Sequence, residues 1–123
     1  MSDHDMQHIL VVDNDESVRD DLVRDLEQSG YSTVTTWSGV EALSLLRTQK
    51  FAVLLTDEYL PDMYIGKFLR EVSHLPIQPT VFVMQVKPAN DICSYDAQFF
   101  RVVKKGQAAK AVQRLGSMHY DSN

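Results

Sequence analysis

The chain reads as an α/β protein, with a parallel sheet wrapped by helices on both faces. Three observations predict this. Short, wholly apolar runs recur along the chain, as expected for strands buried on both sides. Amphipathic stripes of helical period alternate with them. Acidic or polar residues stand where several of the apolar runs stop.

Ile9-Leu10-Val11-Val12 is the first such run. After Asp13, Asn14 and Asp15, the residues Val18, Leu22, Val23 and Leu26 fall on one helical stripe, closed by Gly30. Ser32 to Trp37 is rich in β-branched residues and predicts a second strand. Ser38-Gly39-Val40-Glu41 has the form of a capping box and opens a helix that turns Val40, Leu43 and Leu46 inward. Phe51 to Leu55 predicts the third strand, ending at Thr56-Asp57. Ile65, Phe68, Leu69 and Val72 make an amphipathic helix. Thr80 to Met84 and Phe99 to Val103 predict strands four and five. A last helix carries Ala108, Ala111, Val112 and Leu115 inward and stops at Gly116. Between Val86 and Gln98, Pro88 and a weak periodicity leave room for only a short helix. Crossovers between parallel strands are right-handed, which limits the topology.

The chain has 123 residues, which fits one domain with its core at about 8–116. Its 17 acidic and 12 basic residues give a net charge of −5, which argues against nucleic acid as a partner. No apolar run reaches the roughly 18 residues of a membrane span, and the polar start from Met1 to His8 shows no signal peptide. With Cys93 the single cysteine, no internal disulfide forms, and a cytoplasmic location is expected. His4, His8, His74 and His119 lack metal-ligand spacing.

In an open parallel sheet the ligand site lies beyond the carboxyl ends of the strands. Asp13, Asp57, Gln85 and Lys104 follow strands one, three, four and five and share that rim. Two carboxylates brought together repel unless a cation or proton intervenes, and Mg2+ with oxygen ligands is the natural neutraliser. A lysine beside them suits an anionic group, so the set points to phosphoryl transfer onto a carboxylate.

Ile9-Leu-Val-Val-Asp-Asn-Asp-Glu-Ser-Val-Arg19, Leu55-Thr-Asp-Glu-Tyr-Leu-Pro-Asp-Met63 and Val102-Val103-Lys104 stand in order on the predicted strands. Together they make the chain resemble the receiver domain of two-component response regulators from about His8 to Gly116. The resemblance implies a flavodoxin-like (βα)5 sandwich of three layers, strand order 2-1-3-4-5. It also implies that Asp57 accepts phosphate from a phosphohistidine, that Asp13, Asp57 and the Tyr59 carbonyl hold Mg2+, and that Lys104 contacts the phosphate. Lys105 is the nearest competitor for that last role. Asp15 reads as a helix N-cap, and Glu58 and Asp62 as solvated loop charges.

Several positions depart from the family pattern. Asn14 replaces the second acid after strand one and brings no charge to the cation. Gln85 replaces the hydroxyl residue that bonds the new phosphate, and Val86 follows where a small residue is usual. Arg101 takes the place of an aromatic switch residue three positions before Lys104. The stretch from Gln85 to Lys104 is shorter than usual, within the region of the fourth helix, which is expected to be short or irregular.

These departures mark an atypical receiver in a phosphorelay, acting by protein–protein interaction rather than as an enzyme, with impaired phosphorylation at Asp57 and weak or no Mg2+ binding. The alternative is a conventional Mg2+-dependent phosphoacceptor. Expected partners are a sensor histidine kinase or phosphotransfer protein and a downstream protein, with a second copy of the chain as a further candidate. A haloacid-dehalogenase-like phosphatase would need an acid where Tyr59 stands. A flavin-binding protein would need a Ser-, Thr- or Gly-rich loop where Asp13 to Glu16 stand. Only Ser117 to Asn123 follow the last helix, so the chain reads as a stand-alone regulator or one cut from a longer chain.

Overall fold

The computed structural model describes residues 8–86 and 99–121, with side chains as far as Leu115. Strand β1 spans His8–Val12, helix α1 Glu16–Gln28, β2 Ser32–Thr36, α2 Gly39–Thr48, β3 Val53–Asp57, α3 Ile65–Ser73, β4 Thr80–Gln85 and β5 Phe100–Lys104. A 3-10 turn, Lys105–Gln107, leads into α4, Ala108–Asp121. The five strands form one parallel sheet in the order β2-β1-β3-β4-β5, as the resemblance implies. The expectation of a short helix before strand five falls on residues 87–98 and lies outside the described residues.

Alternation of side chains along the strands divides the core in two. Ile9, Val11, Val53, Leu55, Phe82 and Met84 pack beneath Leu22 and Leu26 of α1 and Ala108 and Val112 of α4. Leu10, Val12, Leu54, Val81 and Val83 pack on the other face, against Leu43 and Leu46 of α2 and Phe68, Leu69 and Val72 of α3. Ile9 to Val12 are all fully buried, as a continuous apolar run demands.

The predicted helices form, each with a cap that explains its limits. Asp15 is the N-cap of α1 and accepts from the Ser17 N–H at 2.9 Å. Helix α1 ends in a Schellman arrangement: the Tyr31 N–H donates to the Leu26 carbonyl, the Gly30 N–H to that of Glu27, and Gly30 takes φ +93°. Ser38 caps α2 by accepting from the Glu41 N–H at 3.0 Å.

Three local readings are corrected. Val40 is 60% exposed, because the buried face of α2 runs through Gly39, Ala42, Leu43 and Leu46, and Val40 falls off that stripe. Trp37 lies beyond β2 and is half exposed. Gly116 does not stop the last helix, which continues to Asp121. One glycine costs a helix about 1 kcal/mol, which neighbouring turns can absorb.

Candidate functional site

Asp13 is fixed from three sides, two through its backbone and one through its side chain. Its N–H donates to the Thr36 carbonyl at 3.0 Å, extending the β1–β2 ladder by one residue. Its carbonyl accepts from Arg19 Nη1 at 2.7 Å, and its Oδ1 accepts from the Asp15 N–H at 2.9 Å. The carboxylate is fully buried, and Oδ2 has no well-aligned hydrogen bond. Asp57, at the end of β3, is buried as well.

Lys105 joins the two. Its Nζ lies 2.9 Å from Asp13 Oδ2 and 3.2 Å from Asp57 Oδ1. The contact with Asp13 is an ion pair close in distance but poorly aligned as a hydrogen bond. Burial, then the charge of Asp13, pushes the Asp57 carboxyl above the usual carboxylate range, while Lys105 and the Tyr59 backbone N–H pull it back. Desolvation works against the Lys105 ammonium, but its contact with Asp13 and the charges of both acids outweigh this and hold its pKa above the usual lysine value.

The lysine brought to the acids is therefore Lys105, not Lys104. The reason is the period of two along a strand. Asp13 continues the row of Ile9 and Val11, Asp57 that of Val53 and Leu55, and Lys105 that of Val103, all on the α1–α4 side. Lys104 continues the row of Phe100, on the opposite face, and is exposed. Counting back three residues from Lys105 places Val102, 46% exposed, at the aromatic switch position instead of Arg101.

Gln85 is buried and points away from the acids. Asp57 pairs with Met84, so one step further on Gln85 lies beside Glu58, and its Nε2 donates to Glu58 Oε2 at 3.3 Å. Glu58 is thus a buried, bonded carboxylate rather than a solvated loop charge. Asp62 is also bound. It accepts from Ser38 Oγ at 2.6 Å and from the backbone N–H groups of Gly39 at 2.9 Å and Val40 at 3.2 Å. Those bonds, the Ser38 hydroxyl first, hold its pKa below the ordinary value. No local pattern announces this contact, since the partners are more than twenty residues apart in sequence. Asn14 and Tyr59 are exposed.

The donor set suits a hard cation. It offers two carboxylates drawn together on one ammonium, with Asp13 Oδ2 buried and without a well-aligned hydrogen bond. Among the described residues no third acid or histidine joins them in a metal-binding group.

Known proteins share this fold. Residues 9–114 match the family model of the response regulator receiver domain. The chain belongs to that family. Over 85 residues it is 39% identical to the polar-differentiation response regulator DivK of Brucella ovis, a match covering 63% of this chain and 68% of that protein. The fold superposes on the chemotaxis response regulator CheY4 of Vibrio cholerae with TM-score 0.76 and 21% identity, covering 89% and 98% of the two chains. It also superposes on the receiver domain of a Pseudomonas aeruginosa sensor histidine kinase, which holds a magnesium ion in its active-site cleft. That match has TM-score 0.77 and 18% identity and covers 89% and 93%. Receivers of this family act in two-component signalling, bind Mg2+ and interact with histidine kinases or phosphotransfer proteins. No helix among the described residues is long and apolar enough to cross a membrane.

Proposed function

We propose that this receiver accepts phosphate on Asp57, that Lys105 contacts the phosphoryl group, and that it signals through a protein partner with weakened switching. The observation that carries the assignment is the placement of Lys105 Nζ against both buried acids. Asp13, Asp57 and the Tyr59 carbonyl are the groups that would hold Mg2+. When bound, the cation neutralises charge on the transferring phosphoryl oxygens. In the transfer, an Asp57 carboxylate oxygen forms the new bond to phosphorus as the P–N bond of a phosphohistidine breaks, and the imidazole leaves with a proton. Lys105 favours the ionised nucleophile and then pairs with a phosphoryl oxygen.

Weak coupling to the output face is supported by two residues. The Gln85 amide is engaged by Glu58 on the far side of the sheet, and Val102 supplies no aromatic ring at the switch position. A phosphate mimic at Asp57 should therefore leave β4 and β5 nearly unchanged.

Phosphorylation by acetyl phosphate with Mg2+, followed by intact-mass measurement, tests the assignment. Asp57→Asn and Lys105→Met should abolish incorporation, and Lys104→Met should not. Loss with Lys104→Met and retention with Lys105→Met would reverse the lysine assignment. Rapid stoichiometric labelling of the native chain would favour a conventional phosphoacceptor over an impaired one.

A further inference from the structure

The loop from Glu58 to Tyr64 connects the buried acid at the end of β3 to helix α3. Its second residue, Tyr59, turns its backbone N–H toward Asp57, yet its side chain is 72% exposed and gives it no packing anchor. Its position must come from its neighbours. On one side Glu58 is tied to Gln85. On the other, α3 offers little, because its N-cap Tyr64 makes no side-chain cap bond and its first turn holds no acid. The loop is anchored earlier, at Asp62, whose carboxylate takes three donors from Ser38, Gly39 and Val40 at the start of α2. A carboxylate there also meets the positive end of the helix dipole. Beside it, Met63 lies so close over Gly39 that a Cβ at Gly39 would stand 2.7 Å from the sulfur. Leu60 and Met63 pack against the α2–α3 core.

We infer that Asp62 is a positioning residue for the phosphorylation site: by latching the β3–α3 loop to the N-terminus of α2, it holds the Tyr59 peptide in register with Asp13 and Asp57. The inference rests on the reading of Asp57, Asp13 and the Tyr59 carbonyl as the Mg2+ and phosphate site. Asp62 itself touches neither cation nor phosphate. It acts through the four residues, Glu58 to Pro61, that lie between it and Asp57. A group bonded directly to a metal ligand is worth about 10- to 100-fold in metal affinity, and Asp62, which reaches the ligands only through the loop, belongs at the lower end of that range.

The test is titration of the full chain with Mg2+, alone and with beryllofluoride, read by Trp37 fluorescence and by the Tyr59 amide resonance. Asp62→Ala should weaken binding about tenfold or more and speed hydrogen exchange at the Gly39 and Val40 amides. Asp62→Asn, which keeps one acceptor oxygen and so can serve the Gly39 or the Val40 amide but not both, should recover part of the affinity. Ser38→Ala, which removes one of the three bonds and keeps both amide contacts, should fall between Asp62→Ala and the native chain and serves if Asp62→Ala does not fold. Gly30→Ala, a destabilising change at the far end of α1, should keep native affinity, which separates positioning from general loss of stability. Native affinity in both Asp62→Ala and Ser38→Ala, or equal weakening in Gly30→Ala, would overturn the inference. A native protein that binds neither ligand would instead overturn the reading of the site, and this inference with it.

Discussion

Asp57 is held in a position that opposes its own ionisation. Burial and the neighbouring Asp13 raise its pKa, and Lys105 only partly compensates. The sign follows from linkage: an acid whose folded pKa exceeds its unfolded value binds its proton more tightly when folded. Stability is then greatest below the ordinary carboxylate range and declines as pH rises through the raised value. Asp57→Asn removes that decline. Its urea midpoint should match the native protein near pH 3.5–4, where an ordinary Asp is about half or more protonated, and exceed it at neutral pH. A midpoint below native at pH 7 would show that the carboxylate stabilises the fold. Lys105 works in the opposite sense. Its raised pKa means that its contribution is complete below the usual lysine value and is lost at alkaline pH. Lys105→Met leaves two buried acids without a counter-charge. Breaking a buried ion pair this way costs about 3–5 kcal/mol, and the partial exposure of the lysine side chain, 20%, places this case toward the lower end. Thermal unfolding at pH 7 measures it, and a loss below about 1 kcal/mol, the scale of an exposed pair, would mean that solvent already screens the acids.

At the level of elements, most of the chain was legible because its signals are local. The run Ile9 to Val12, the stripe through Leu22 and Leu26, and the Ser38 cap each depend on residues within one or two turns, and each appears where the pattern puts it. The choice of lysine was also written in the sequence, in strand parity. Val103 belongs to the same alternating row as Lys105, and that row faces the acids. The motif Val102-Val103-Lys104 by itself does not carry that parity. The roles of Glu58 and Asp62 were not legible, because their partners Gln85 and Ser38 to Val40 lie more than twenty residues away. The capping box was half right: Ser38 caps Glu41, but the Ser38 N–H donates to Thr36 Oγ1 at 3.1 Å, not to the Glu41 side chain. Gly30 gives the element scale its sharpest test. At φ +93° it closes α1 in a conformation that disfavours a Cβ, although space around it is open. Gly30→Ala should cost about 1–2 kcal/mol in urea unfolding. A neutral effect would show that the turn relaxes freely to another conformation.

Across the whole molecule, two cores separated by one sheet deliver charges to a single rim, and stability is linked to what binds there. Asp13 and Asp57 bring two negative charges and Lys105 returns one positive charge, so an incoming Mg2+ meets an ammonium already engaged by both carboxylates. Asn14 stands exposed next to Asp13 and contributes no charge. Cation affinity depends on ligand charge and number, and Mg2+ sheds its water reluctantly, so the native rim should bind it weakly. Asn14→Asp adds the missing charge. Without Mg2+ that charge repels Asp13 and Asp57, and the variant should unfold at a slightly lower temperature than the native chain. With Mg2+ the order should reverse. A ligand that binds only the folded state stabilises it by RT ln(1 + [L]/Kd), about 1.4 kcal/mol when the free cation is ten times Kd. Raising Mg2+ to about ten times the variant's Kd should thus lift its Tm by several degrees, given about 4–8 °C per kcal/mol in a small domain. The native protein should gain less at the same concentration. Ca2+, which tolerates looser geometry, gives a second titration on the same oxygens. Equal Tm shifts in the two proteins with both cations would place residue 14 outside the reach of the ion, and the affinity of the native site would then have to rest on Asp13, Asp57 and the loop that Asp62 holds.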